Sequence, residues 1–334
     1  MKEKTERNDI MKIGILGTGR IAHTVAPALV ALQEIECYAC ASRTPGKAEA
    51  FAAEFGFQKI YHSYEDLVQD PEVELIYVAT PHSHHYAHMM LCLEHGKHVI
   101  CEKAFTMNAQ QAEDIASFAR EKGLYASEAI WTRYMPSRHM IDSIIESGVI
   151  GYVNTLTANL SYVIHGKQRI INPELAGGAL LDIGVYGLNF AIMHFGDDFH
   201  RMESSVALTD TGVDAMETIT LFYPDGRMAV LTHSIYCRSD RKGIIHGDKG
   251  YLVVENINNP QSISVFDIND KQIAHYEVPQ QINGYEYEFA EAVRCIREGK
   301  QESDSMPMAQ TIRVMSIMDN LRKQWGVIYP QERE

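Results

Sequence analysis

Tryptophan, cysteine and basic charge are what this 334-residue chain is short of, and each shortage narrows what it can do. Its six cysteines, Cys37, Cys40, Cys92, Cys101, Cys237 and Cys295, are scattered through apolar segments instead of being spaced as a disulfide framework. Reduced thiols in a cytoplasmic protein are the expectation. The net charge is −14, from 30 basic and 44 acidic residues, which argues against nucleic acid or an anionic membrane as the main partner. A local basic pocket for a phosphate stays open. No apolar run approaches the ~20 residues that span a bilayer. Residues 1–10 are charged and polar and lack the apolar centre of a secretory signal. They read as a mobile tail, with Met11 as an alternative start.

What is present is a chain long enough for two domains. Over 11–130, short apolar runs at 12–16, 35–41, 75–79, 98–102 and 125–129 alternate with helix-like stretches at 21–33, 47–55, 64–68, 84–95 and 109–122. That alternation predicts a doubly wound parallel sheet with helices on both faces, an α/β Rossmann domain. From about 131 to 334 the pattern changes. A helix over 137–147 is followed by runs alternating in twos at 155–162, 218–223, 228–236 and 262–267. With helices over 178–195, 285–298 and 308–324, this predicts an α+β domain built on a large, mostly antiparallel sheet.

The turn after the first strand reads Gly17-Thr18-Gly19-Arg20-Ile21-Ala22. Alone the pattern is weak, and its third glycine is alanine. Its place between an apolar strand and a helix makes it a dinucleotide turn. Gly17 permits the tight bend, and Gly19 lets the backbone approach a pyrophosphate at the positive helix end. At the end of the second strand stand Ser42 and Arg43, where an acidic residue would bind the ribose hydroxyls of NAD. A guanidinium there suits the 2′-phosphate of NADP, which is favoured over NAD. Arg43 stacking on adenine or pointing to solvent is the alternative.

Two further stretches carry chemistry: Cys101-Glu102-Lys103 at the end of a predicted strand, and Gly177-Gly178 leading to Asp182 and Tyr186. Lys103 falls at the carboxyl edge of the parallel sheet, where open α/β sheets bind ligands. Asp182 and Tyr186 are four residues apart and share a helix face. Gly177 and Gly178 would leave room for a cofactor or substrate. Tyrosine titrates near ~10, so acid/base work near neutrality needs a cation beside it, which Lys103 supplies. His82, His84, His85 and His88 carry no acidic or cysteine partner, so no metal is expected. Cys37 and Cys40 lie within a strand and read as core filling.

Thr80-Pro81-His82 with His85, Gly96-Lys97-His98-Val99 leading into Glu102-Lys103, and the 177–186 stretch together resemble the glucose-fructose oxidoreductase / inositol dehydrogenase superfamily, Gfo/Idh/MocA. Glu102-Lys103-Ala104-Phe105 and the run from Glu128 through Trp131 to Arg133 resemble its dimeric dihydrodiol dehydrogenase and NADP-dependent xylose dehydrogenase branch. The resemblance implies hydride transfer between NAD(P) and a hydroxyl or carbonyl of a sugar, polyol or trans-dihydrodiol. It implies Tyr186 as acid/base, Lys103 as its partner, and Asp182 orienting the lysine or a substrate hydroxyl. Gly17, Thr18, Gly19, Arg20, Ile21, Ser42, Arg43, Thr80, Pro81, His82, His85, Glu102 and Lys103 would face the cofactor. Trp131 and Arg133 would line the substrate pocket with Lys103, Asp182 and Tyr186, domain packing being their alternative role. A homodimer or higher homo-oligomer is expected. Three departures stand out, one being His82 where asparagine is common. Relatives usually have proline where Ala104 follows the lysine, which predicts a looser Lys103, and many have histidine in place of Tyr186. The rival readings are a catalytically idle NADP-binding regulator and a redox-neutral glycosidase or epimerase using NAD transiently.

Overall fold

Parallel pairing over the first third of the chain follows from strands apolar on both faces: Ile13, Ile15, Leu75, Ile76 and Val99 are wholly buried. The structure, a computed structural model, describes residues 10–333. The expectations for a tail and for a start at Met11 concern residues that lie outside that range, apart from Ile10 and Met11 themselves. Alternation gives β1 (Met11–Leu16), α1 (Arg20–Ala31), β2 (Ile35–Ala41), α2 (Lys47–Phe55), β3 (Lys59–Tyr61) and α3 (Tyr64–Val68). It continues with β4 (Leu75–Val78), α4 (His82–Glu94), β5 (His98–Glu102), α5 (Ala109–Lys122) and β6 (Ala126–Ala129). The six strands lie in the order β3-β2-β1-β4-β5-β6. The order reverses beside β1, so the loops after β1 and β4 diverge and open the crevice where such sheets take ligands. β3, three residues long, is too short to leave a sequence pattern. Ser63 and Asn108 cap α3 and α5 by accepting the N–H groups of Asp66 and Gln111, both at 3.0 Å.

A second compact unit spans residues 135–280 and 316–333. It begins with α6 (Pro136–Glu146), β7 (Val153–Ser161) and α7 (Gln168–Ile171). A widened π-helical turn, Leu180–Gly184, then runs straight into α8 (Val185–Phe195). The remaining strands are β8 (Arg201–Leu208), β9 (Asp214–Phe222), β10 (Met228–Ser234), β11 (Gly243–Gly247), β12 (Gly250–Val254), β13 (Ser262–Asp267) and β14 (Gln272–Glu277). They form one sheet in the order β14-β13-β12-β11-β7-β10-β9-β8, in which only β7 and β10 pair in parallel. Leu156, Ala229, Leu231, Ile245, Leu252 and Val265 bury one face, against which α8 packs. On the other face Thr220, Val230, Thr157, Ile244, Val253 and Ser264 lie in register across six strands and are half-buried.

Residues 281–315, which the sequence reading puts with the second domain, pack with the first unit. They bring α9 (Glu286–Arg297) and the start of α10 (Met308–Trp325). The reason is local: Phe289 of α9 is wholly buried with its ring edge-on to Tyr77 of β4, centroids 5.2 Å apart. Residues 173–195 are apolar enough on average to cross a membrane, although no single apolar run in them reaches that length. Of their most apolar 18 residues 94% are buried inside the protein, so this is a core segment of the second unit.

Candidate active site

The dinucleotide turn is shaped by what surrounds its glycines. Gly17 has φ +95°, and a β-carbon there would lie 2.9 Å from the carbonyl oxygen of Ala79 and 3.1 Å from Thr80 Cγ2. Only glycine fits. Gly19 precedes α1, whose first turn has no side-chain cap, and a β-carbon on it would meet nothing within 4 Å. Beside it the Thr18 hydroxyl is buried with no protein hydrogen-bond partner. A bare helix start, an open glycine and an orphaned buried hydroxyl are what a pyrophosphate requires, so the residues present fit a dinucleotide. Ala22 is wholly buried, as close helix–sheet packing demands, while Arg20 is exposed and Ile21 half-exposed.

Ser42 and Arg43 follow β2 directly. The Ser42 hydroxyl is buried and accepts the N–H of Thr44 at 3.2 Å. The exposed Arg43 guanidinium lies over the Tyr64 ring, 5.3 Å from its centroid. Neither arrangement foreseen for Arg43 named that ring. The ring in turn meets His88 edge-on, centroids 4.7 Å apart. After β4, Thr80 Oγ1 is 2.9 Å from His88 Nδ1. His82 is buried, with its ring edge-on to His85. His85 is wholly buried and spans two carbonyl oxygens, that of Thr80 at 2.7 Å and that of Ala104 at 2.8 Å. Burial pulls it down to about 4, so the ring is neutral near pH 7 and has one N–H to donate. Among the described residues no group of three or more His, Cys, Asp or Glu is arranged to hold a metal ion.

β5 delivers Glu102 and Lys103 to the same sheet edge. Glu102 is buried and accepts a short hydrogen bond from the Tyr77 hydroxyl, so it is no solvated surface carboxylate. Lys103 is half-buried. The peptide between Lys103 and Ala104 is cis. Where a looser turn was expected for want of proline, Ala104 is wholly buried, its carbonyl faces His85, and the N–H of Phe105 donates to Glu128 Oε1 at 3.2 Å. Burial raises Glu128 to about 7 against the opposing charge of Arg133. Arg133, offered as a pocket residue, is 2% exposed and donates to Gln310 Oε1 at 3.0 Å. Trp131 stacks flat on Tyr285, 4.0 Å between centroids and 4° between planes. Both side chains hold the segment after β6 within the first unit.

The second unit presents the other half of the expected chemistry. Asp182 is in the π-turn and Tyr186 in the first turn of α8, both buried. A π-turn carries one extra residue, so their spacing of four acts as three does in a regular helix and still keeps neighbours on one face. Asp182 receives the Arg169 guanidinium at 2.7 and 3.5 Å. No sequence motif pointed to Arg169, which lies on the four-residue α7 and is exposed while its partner is buried.

The glycines of this segment differ from their expected role. A β-carbon on Gly177 would lie 2.5 Å from the carbonyl oxygen of Ile170, and one on Gly178 2.3 Å from Asp214 Oδ1. The room they make is filled by protein. Gly184 and Gly187 are filled likewise, by Glu217 Oε1 at 2.5 Å and His233 Nε2 at 2.1 Å. Asp214, Glu217 and His233 are all buried, and Glu217 Oε1 lies 3.1 Å from His233 Nδ1. The N–H of Leu180 donates to Asp214 Oδ2 at 2.5 Å. Burial, helped by the charge of Glu217, raises Asp214 to about 7. Burial also pushes Glu217 well up and His233 down to about 3. The alternating run read from the sequence starts at 218, past Asp214 and Glu217, and nothing in it foretold that polar groups would meet there.

Comparison with known proteins covers both units. Residues 11–129 match an oxidoreductase family with an NAD-binding Rossmann fold, Gfo/Idh/MocA, and residues 139–253 match its C-terminal domain. This chain belongs to that family. As a Gfo/Idh/MocA member it is 35% identical to a trans-1,2-dihydrobenzene-1,2-diol dehydrogenase of Xenopus tropicalis, over 96% of this chain and 99% of the relative. It is 34% identical to a D-xylose 1-dehydrogenase (NADP(+)) of Hypocrea jecorina, over 96% and 93%. These relatives fall in the branch that the motifs around Lys103 and Trp131 indicate. Among solved structures, a 3-ketoreductase from Actinomadura kijaniata in complex with NADP and TDP-benzene superposes with a TM-score of 0.86 at 25% identity, over 94% of this chain and 97% of that one.

Proposed function

We propose that this family member is an NADP-dependent dehydrogenase or reductase acting on a CH–OH group, or its carbonyl counterpart, of a sugar, polyol or trans-dihydrodiol. The observation that carries the reading is that β5 brings Lys103 to the same sheet edge at which β1 delivers the Gly17–Gly19 turn. The named activities of the relatives supply the substrate class. When bound, the nicotinamide supplies the hydride acceptor or donor. The chain's own residues do the rest. Gly17, Thr18 and Gly19 take the pyrophosphate, Ser42 and Arg43 the phosphorylated ribose, and Thr80, Pro81, His82 and His85 shape the wall after β4. Tyr186 exchanges the proton of the substrate hydroxyl, and the ammonium of Lys103 lowers the phenol toward neutral pH and hydrogen-bonds the substrate oxygen. Acid/base groups so placed contribute typically ~10²–10⁴-fold. Asp182, which receives the Arg169 guanidinium, orients the lysine or a substrate hydroxyl.

The same reading takes the protein as a cytoplasmic homodimer joined through the open face of the eight-stranded sheet, where Val230, Ile244 and Val253 lie in register. The test is a screen of aldoses, polyols and trans-dihydrodiols with NADP and NAD in parallel. Net, multiple-turnover NADPH formation with one of these classes supports it. Cofactor reduction that stops at one equivalent, or none with any substrate while NADP binds, overturns it.

A further inference from the structure

Between the ends of β2 and β4 lie three groups able to carry positive charge, with no carboxylate among them. Arg43 covers Tyr64, Tyr64 meets His88, and the ring of His84 lies 5.6 Å from that of His88, centroid to centroid. Neither histidine has an acidic partner within ion-pair distance among the described residues. His84 is bonded to the Ser83 hydroxyl and His88 to the Thr80 hydroxyl, both at 2.9 Å. His88 is 9% exposed and His84 half-exposed. The groups facing the two rings are Arg43 from the loop after β2, Tyr64 of α3 with Glu65 beyond it, and His85 on α4 itself. Glu65 acts on Tyr64 and not on the rings. Groups able to carry like charge, gathered without a counterion, form a site that an anion completes.

We propose that His84 and His88 extend the Arg43 site into a proton-linked receptor for a phosphate monoester. The chain then takes up a proton on binding a dinucleotide that carries a 2′-phosphate, and none on binding one without it. The inference rests on the NADP reading above and adds its dependence on pH. With no ligand both rings are neutral at pH 7: burial lowers both, the charge of Arg43 lowers them further, and His88 falls to about 4. A dianion beside Arg43 reverses the local field and favours the charged imidazole. His84, the more exposed ring, takes the proton, while Thr80 holds its neighbour His88. Linkage gives the sign: proton uptake on binding makes affinity rise as pH falls, tenfold per pH unit for about one whole proton. Half a proton corresponds to about tenfold between pH 8.5 and 6.5, a range in which the phosphate, with its second pKa near ~6, stays mostly dianionic.

Calorimetric titration of the full chain with NADP and with NAD, in two non-phosphate buffers of unlike ionisation heat, reads the protons directly. About half a proton taken up with NADP near pH 7.5, none with NAD, and loss of that uptake in His84→Gln support the proposal. The variant should bind NADP as wild type does at pH 8.5 and several-fold more weakly at pH 6.5. His84→Gln changes a half-exposed side chain, so it keeps the test open should His88→Gln fail to fold. Equal uptake with both dinucleotides, or uptake unchanged in His84→Gln, overturns it. Arg43→Ala separates the two readings. If it abolishes the preference for NADP while His84→Gln changes nothing, only the proton linkage is wrong. If it leaves the preference intact, the phosphate site itself is misplaced and both fall.

Discussion

Two glycine-rich stretches carry the proposed function, and they use glycine in opposite ways. At Gly19 the missing side chain leaves open space at the start of α1, beside an unpartnered buried hydroxyl. At Gly178, Gly184 and Gly187 the missing side chains are replaced by Asp214, Glu217 and His233 of the same unit. In sequence the stretches look alike. In space one glycine leaves open room, and the others are filled by the protein's own polar core. Glycine content therefore locates a site without saying what enters it.

The largest effect expected from this contrast is on catalysis, in the filled stretch. Tyr186→Phe should lower kcat by ~10²–10⁴-fold, with NADP affinity and melting temperature held, since the proposed cofactor contacts lie on the other stretch. Steady-state kinetics beside calorimetry would show this, and unchanged turnover removes Tyr186 from its role. Next comes stability. Gly178 has φ +124°, and a methyl there would also strike Asp214 Oδ1 at 2.3 Å, so Gly178→Ala combines backbone strain with overpacking. Together these cost roughly 2–6 kcal/mol, measurable by urea titration. A cost below about 0.5 kcal/mol, the usual range for surface changes, means that the stretch is not filled as described.

The third prediction concerns pH. Asp214 titrates near about 7 in the folded protein and, once unfolded, in the ordinary carboxylate range near ~4. Its folded pKa is raised, so its contribution to stability is complete below ~4 and is lost as pH rises toward 7. Asp214→Asn should flatten the fall in unfolding free energy over that window by about 2–4 kcal/mol relative to wild type. Parallel curves for the two proteins would show that the carboxyl is not held protonated. The smallest effect belongs to the open stretch: Gly19→Ala should leave stability within about 0.5 kcal/mol and weaken dinucleotide binding about tenfold, or 1.4 kcal/mol. Calorimetry and thermal melts on one preparation read both numbers.

Where side-chain pattern reports burial directly, the fold was legible: the five longer strands of the parallel sheet and the helices α2, α3 and α5 are where the apolar spacing puts them. β3 was not, because three residues cannot show a period. Neither was the return of 281–315 to the first unit, because an amphipathic helix does not announce which sheet it covers. Gly17, Lys103 and Tyr186 could be picked out because turn chemistry and motif spacing are local. Arg169 and the trio of Asp214, Glu217 and His233 could not. Each owes its role to a partner distant in sequence, and a lone arginine or buried carboxyl carries no local sign of one. Arg133 and Trp131 show the converse, residues conspicuous in sequence whose side chains pack against Gln310 and Tyr285.

His85 sits between two loops that sequence separates by some twenty residues, one following β4 and the other following Lys103. Both atoms it faces are carbonyl oxygens, and the neutral ring has a single proton to give. Whichever oxygen receives it is held, and the other is met by a lone pair and pushed. One buried ring thus ties the loop after β4 to the turn after Lys103, and the two loops share a single proton donor.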